Sequence, residues 1–254
     1  LTFKGPAPYV NLAIKGYAAT VQGNYQTAIE AAEQTLARLP KGAARNPRNQ
    51  KQIAAPWLVH KIFGQWSRVL EVKPPADGAP YLSGMWAYTQ GSAHIAQKAF
   101  SQAREHLTAL EAFVELSRKD AGQAGATPNA RILELAALSL RGELLEGTGD
   151  LDGAIKAFET GVALEDLNNY TEPPDWPQPL RHYLGAALLK ANRAADAEAV
   201  YRRDLQWNHN NGWSLLGLQQ ALLAQGKTAA ANIVKADFDA AWQYSNITLE
   251  RSHL

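Results

Sequence analysis

The sequence predicts an all-α chain, an α-solenoid of about six helical hairpins forming a right-handed superhelix. Three observations predict it. Apolar residues recur with helical period along most of the chain, and strand-like alternation is scarce. Glycines return at comparable places in successive segments (Gly16, Gly91, Gly142, Gly185 and Gly217), with Trp57 holding that place in a degenerate second hairpin. These markers stand 32–51 residues apart, the scale of one helical hairpin with a linker of variable length. A glycine inside a helix costs about 1 kcal/mol relative to alanine, so its return at equivalent places implies close helix packing there.

The elements follow in order. Residues 10–21 read as one amphipathic helix, broken by Gly23-Asn24, and 25–39 as its partner, stopped by Pro40. A polar connector over 41–52 carries the loop signal Asn46-Pro47-Arg48-Asn49. A third helix runs to about Phe63, turns at Gly64-Gln65-Trp66, and pairs with a short helix cut off by Pro74-Pro75. Residues 81–96 then pair with 99–116, and a Gly/Ala/Thr/Pro linker fills 120–128. Residues 130–145 pair with 151–164 across Gly147-Thr148-Gly149-Asp150, and a second linker, 165–178, holds Pro173, Pro174 and Pro177. Two last pairs, 179–190 with 194–205 and 212–223 with 228–244, complete the array. The whole chain, 1–254, reads as a single repeat domain with hairpins at about 8–40, 50–73, 80–117, 129–165, 179–206 and 211–245.

Composition narrows the function classes. With 46% hydrophobic and 9% aromatic residues, the chain has the material for a sizeable core. A net charge of +1 argues against a general nucleic-acid binder. The absence of cysteine excludes disulfides, thiolate metal sites and cysteine nucleophiles, and suits cytosol and periplasm alike. No apolar run approaches the roughly 20 residues that span a bilayer. The chain opens at Leu1 without an initiator methionine, so a removed leader or a longer parent polypeptide is expected.

Within the pairs, Trp213-Ser214-Leu215-Leu216-Gly217, Leu184-Gly185 with Ala197 and Tyr201, Gly142 and Gly149 with Ala154 and Phe158, Gly16 and Gly23 with Ala28 and Pro40, and Gly91 with Ala103 and Leu107 resemble the tetratricopeptide repeat (TPR). Longer stretches sharpen the likeness: Tyr170 to Leu189 around Glu172-Pro173-Pro174 and Trp176, Ala197 to Leu205, Asn211 to Leu218, and Pro80-Tyr81 with Trp86, Tyr88 and Gly91. Together they look like the C-terminal half of a group of large, often exported bacterial TPR proteins. The resemblance implies a bacterial origin, a periplasmic or otherwise exported location with the cytoplasm as alternative, and upstream repeats absent here. It brings no biochemical role. Val10-Asn11 also departs from the group, which tends to place a histidine before that asparagine.

Chemical motifs are few. Gly147-Thr148-Gly149-Asp150-Leu151-Asp152-Gly153 misses the spacing of a phosphate loop and the ligands of a calcium loop, and reads as a hairpin turn with Asp150 at the next helix start. No two of the six histidines stand four apart on one helix. Neither a metal nor a cofactor is expected. Glu172, Asp175, Arg181 and His182 form the best polar cluster. They read either as part of a proline-rich strap that packs Trp176 onto the next hairpin, with Glu172 paired to Arg181, or as a small-molecule, metal or enzymatic site. Aligning the first helices places Tyr17, Tyr88, Ser92, Glu143, Glu146, His182 and Lys190 on the concave face as a partner-binding groove. The seven tryptophans read mainly as packing.

Charge is blocked along the chain. Residues 38–68 hold seven basic side chains and no acidic ones, whereas 142–180 hold nine acidic side chains against Lys156 alone. Arg45, Arg48 and Lys51 are therefore candidate docking cations, for a partner or for the acidic half of a second copy. The sequence reads as a non-enzymatic scaffold that binds a protein or peptide, suited to serve as one subunit of a larger bacterial assembly.

Overall fold

The computed structural model describes residues 9–76, 79–120 and 128–254, and regular structure among them is helical throughout. The helices in order are α1 (Val10–Val21), α2 (Tyr25–Ala37), α3 (Pro47–Ile62), α4 (Trp66–Glu71), α5 (Pro80–Ala96), α6 (Phe100–Asp120), α7 (Pro128–Gly147), α8 (Leu151–Glu165), α9 (Leu180–Lys190), α10 (Ala194–Trp207), α11 (Gly212–Ala224) and α12 (Thr228–Ala241). A 3-10 turn at Ala43–Arg45 precedes α3. Most of the linker expected at 120–128 lies outside the described residues. No helix among those described is long and apolar enough to cross a membrane.

Local chemistry sets the boundaries. The side chains of Asn24, Asn46, Asp150 and Asn211 accept the backbone N–H of Thr27, Arg48, Gly153 and Trp213 at 2.9–3.0 Å, capping α2, α3, α8 and α11. Asn46-Pro47 is thus a helix start where sequence suggested a loop. Proline suits the first helical position, because the N–H it lacks would have no partner there. Each hairpin closes through one residue in the left-handed region: Gly23, Gly64, Lys98, Gly149, Asn192 and Gly226, with φ between 58° and 94°. Four of the six are glycine, for which that conformation is free of strain.

The helices pack in adjacent pairs, α1 on α2, α5 on α6, α7 on α8, α9 on α10 and α11 on α12. The odd-numbered helices also meet one another in order from α1 to α11. Glycines admit large rings at several of these crossings. A Cβ placed on Gly142 would stand 2.3 Å from the Phe158 ring of α8. Cβ atoms on Gly185 and Gly217 would stand 2.3 and 2.2 Å from the Tyr201 ring. Tyr201 of α10 therefore threads between α9 and α11 through two gaps that only glycine leaves open. Gly91 makes room for Leu140 of α7, and Gly16 for Ala31 of α2.

The largest apolar cluster runs from α3 to α12. A second one joins the two ends of the chain: Ala19, Ala28, Ile29, Ala32, Val59, Ile62 and Phe63 surround Trp213. Trp213 Nε1 donates to the Thr20 carbonyl at 3.0 Å, and Trp242 lies against Gly23 and Gly212. Ser245 Oγ donates to the Gly23 carbonyl at 3.1 Å, and Asn246 Oδ1 accepts from Tyr25 N at 2.9 Å. The last hairpin is thereby clasped to the first.

Candidate functional site

Where α3, α5, α7 and α9 come together, their polar side chains form one buried relay. Tyr88 OH donates to Ser139 Oγ at 3.1 Å, and Ser139 Oγ donates to Glu143 Oε1 at 2.9 Å. Lys61 Nζ faces the same carboxylate at 3.3 Å and donates to Tyr183 OH, which donates to Gln178 Oε1. Lys61 is only 1% exposed, and its ammonium sits between the Tyr88 and Tyr183 rings, 5.0 and 4.8 Å from their centroids. Burial pushes the Lys61 pKa down, and Glu143 opposes that shift.

Two non-helical segments lie against this relay. The strap between α8 and α9 buries Trp176 to 5% exposure, its ring 5.5 Å from that of Tyr88. Asp175 of the strap pairs with Lys51. The other segment follows α12. Gln220 Nε2 donates to the Glu250 carbonyl at 2.7 Å, and Arg251 reaches Glu146 at 3.3 Å. Ser252 Oγ donates to the His182 carbonyl and accepts from Tyr201 OH, both at 2.7 Å. The His253 ring stacks on Tyr183 with centroids 4.3 Å apart, and Leu254 packs on Gly64. Ser252 and His253 are 0% and 6% exposed.

An acidic cluster borders the strap where it enters α9. Glu165 Oε2 accepts the Leu180 N–H at 2.8 Å and tethers the end of α8 to the start of α9. Burial raises the Glu165 pKa to about 8, against the pull of that N–H, with Asp204 adding to the rise. Burial would likewise raise Asp204, but the contact of His182 and the hydrogen bonds from Ser214 and Asn208 hold it low. His182 Nε2 stands 3.4 Å from Asp204 Oδ2, without hydrogen-bond alignment.

The groove residues named from sequence distribute as follows. Tyr88, Glu143, Glu146 and Lys190 join the relay or its edge, with Lys190 Nζ 3.3 Å from Glu146. His182 is buried beside Asp204 and supplies the carbonyl that holds Ser252. Ser92 is buried, and its hydroxyl has no partner among the described residues. Tyr17 stands apart, lining a cavity of about 100 Å³ between α1, α2, α3 and the strap prolines Pro173 and Pro174. Its phenol is pushed up to about 12 by burial first, then by Asp204 and Glu165.

Glu172, Arg181 and His182 do not converge. Glu172 takes the Tyr170 hydroxyl, whereas Arg181 grips Asp166 with two bonds of 2.7 Å and His182 faces Asp204. The local pairing of Glu172 with Arg181 is replaced because Asp166 presents a two-oxygen fork to the guanidinium. Of the docking cations, Arg45 and Arg48 are exposed and Lys51 belongs to the strap contact.

Sequence reasoning missed Lys61, Ser139, Tyr183 and residues 250–254. Lys61 carried a readable signal, a lone cation inside Trp57-Leu58-Val59 and Ile62-Phe63. Residues 250–254 carry no periodicity and gave none. No protein-family model matches the chain, and no curated protein matches it.

Proposed function

We propose that this chain is a non-enzymatic helical-repeat scaffold of the tetratricopeptide type, a right-handed α-solenoid that binds an extended polypeptide on the face of its odd-numbered helices. One observation carries the reading: a non-helical segment of the chain itself, residues 250–254, occupies that face through backbone and side-chain contacts. Three features support it. The polar side chains of the relay come from first helices of successive pairs, as in grooves that read peptides. One left-handed residue per hairpin gives the array a regular internal geometry. From Tyr88 through Ser139 to Glu143, and from Lys61 through Tyr183 to Gln178 Oε1, the buried relay is already paired, which suits a rigid floor better than a reaction centre.

The test is a peptide array probed with the full chain, with the hits mapped by hydrogen exchange. Peptides that bind are expected to protect amides of α7, α9 and α11. Absence of any peptide ligand, or protection confined to other helices, would overturn the reading.

A further inference from the structure

Resting on that reading, the contacts of residues 250–254 define which polypeptide the face selects. Arg251 is met by Glu146, and Glu143 is the next carboxylate along α7. Ser252 is held at both ends of its hydroxyl, by Tyr201 OH and the His182 carbonyl, in a place with 0% exposure. His253 offers a flat ring to Tyr183. The face thus presents, in register, a carboxylate for a cation, a donor–acceptor pair for a hydroxyl, and a tyrosine ring for a planar side chain.

Residues 250–254 satisfy these groups imperfectly. The Arg251 guanidinium reaches Glu146 only at 3.3 and 3.5 Å, longer than the roughly 2.7–2.9 Å of a good charge-assisted bond. Arg251 Nε is buried with no partner among the described residues. Gln178 Nε2, at the other end of the relay, is also a buried donor without an acceptor. The one large apolar side chain of the segment, Leu254, stays 36% exposed, so its hydrophobic burial is incomplete. A ligand that closes these bonds gains what the intramolecular segment leaves unmade.

We propose that residues 250–254 are a displaceable stand-in for a partner polypeptide that carries an arginine, a hydroxyl residue and a planar ring in consecutive positions. The partner enters as the segment leaves, and Glu146, Tyr201 with the His182 carbonyl, and Tyr183 read those three positions. Tethering keeps the intramolecular segment at an effective concentration in the millimolar range, so only a better-matched ligand displaces it.

The experiment measures fluorescence anisotropy of a labelled peptide, Leu-Glu-Arg-Ser-His-Leu, with the full chain and with its Arg251→Ala/His253→Ala variant. The variant is expected to bind the peptide at least about tenfold more tightly than the unaltered chain, since its own segment competes less. Changing the peptide's arginine to glutamate, or its histidine to alanine, should each weaken binding at least about fivefold. Equal binding by variant and unaltered chain, or indifference to the arginine, overturns the assignment. If the variant loses its helical circular dichroism, hydrogen exchange on the unaltered chain decides. Millimolar peptide should speed exchange at residues 250–254, and unchanged exchange counts against the proposal. A dimer joined by exchanged segments would also overturn it, by making a second copy the occupant. Array hits of different chemistry on the same helices would defeat this inference alone and leave the scaffold reading standing.

Discussion

Two irregular segments cross the same polar relay, and they are held by different physics. The strap reaches it with an aromatic anchor: Trp176 is buried in the main apolar cluster, and the chain on either side is stiffened by Pro173, Pro174 and Pro177. Residues 250–254 reach it with polar groups, Arg251, Ser252 and His253, and leave Leu254 about a third exposed. Burial of a large ring gives stability that solvent cannot replace. Hydrogen bonds and ion pairs exchange with water at a small net gain, about 0.5–1.5 kcal/mol each. The strap is therefore held by core burial, and residues 250–254 mainly by polar contacts.

The sharpest way to break this comparison is to remove the two anchors in turn. Trp176→Ala is expected to lower stability by about 3–5 kcal/mol in urea unfolding, because it empties a ring-sized site lined by Tyr88 and its neighbours. Ser252→Ala should lower it by only about 1 kcal/mol. Similar losses for the two variants would show that the segment is as structural as the strap.

Next in size is a pH effect at the foot of the strap. Glu165 has a folded pKa of about 8, against about 4.3 for an unstrained glutamate. A carboxyl raised in this way stabilises the fold most below about pH 4.3, and that contribution fades as pH climbs through 8. Some solvent contact remains at Glu165, so the loss between pH 5 and 9 should be about 2 kcal/mol, below the full shift at about 1.4 kcal/mol per unit. Glu165→Gln keeps the acceptor for the Leu180 N–H and carries no proton to lose. Denaturant midpoints across that range should then fall in the unaltered chain and stay flat in the variant. Parallel curves would place the Glu165 carboxyl in the ordinary range.

The helix pairs were legible because both signals that make them are local. Apolar period marks the buried stripe, and Gly23, Gly64 and Gly149 mark the turns. Lys98 and Asn192 close their turns without glycine, and only the interruption of apolar period marked them. Gly142 and Gly185 pointed correctly to tight crossings, yet sequence could not show that Gly217 receives Tyr201 of the preceding pair instead of its own partner helix. The site was legible in part. Tyr88, Glu143, Glu146 and His182 sit where first helices meet, and a repeat alignment can place such positions. Lys61 is one of the seven basic residues of 38–68, and such a block hides a buried member whose carboxylate lies far along the chain. Residues 250–254 were invisible, since contacts made by single side chains to distant helices leave no period to read.

The smallest effect sharpens the comparison most, because its sign is opposite to that of the strap. His253 is buried, and burial holds its pKa well below the ordinary value, with Arg251 and Lys61 reinforcing the shift. A histidine depressed in this way stabilises the docked segment above its unfolded pKa of about 6.5, and the contribution drains away as pH falls below that. The charged and titratable groups that act on it are Arg251 on the segment, which touches the ring, Lys61 from α3 and His182 from α9, while the carboxylates near those cations are Glu143 and Glu146 of α7. Lys61 is already matched by Glu143, and Glu146 is shared by Lys190 and Arg251, so neither carboxylate is free to receive an imidazolium. Opening of residues 250–254, followed by hydrogen exchange corrected for intrinsic chemistry, should be about fivefold more frequent at pH 5 than at pH 7.5, a shift of roughly 1 kcal/mol. His253→Phe keeps a flat ring over Tyr183 without a titrating nitrogen, and should remove the difference. The strap amides next to Trp176 should show no loosening over the same range, because Glu165 becomes more favourable as pH falls. Equal opening of the segment at both pH values would mean that the His253 proton plays no part in its release.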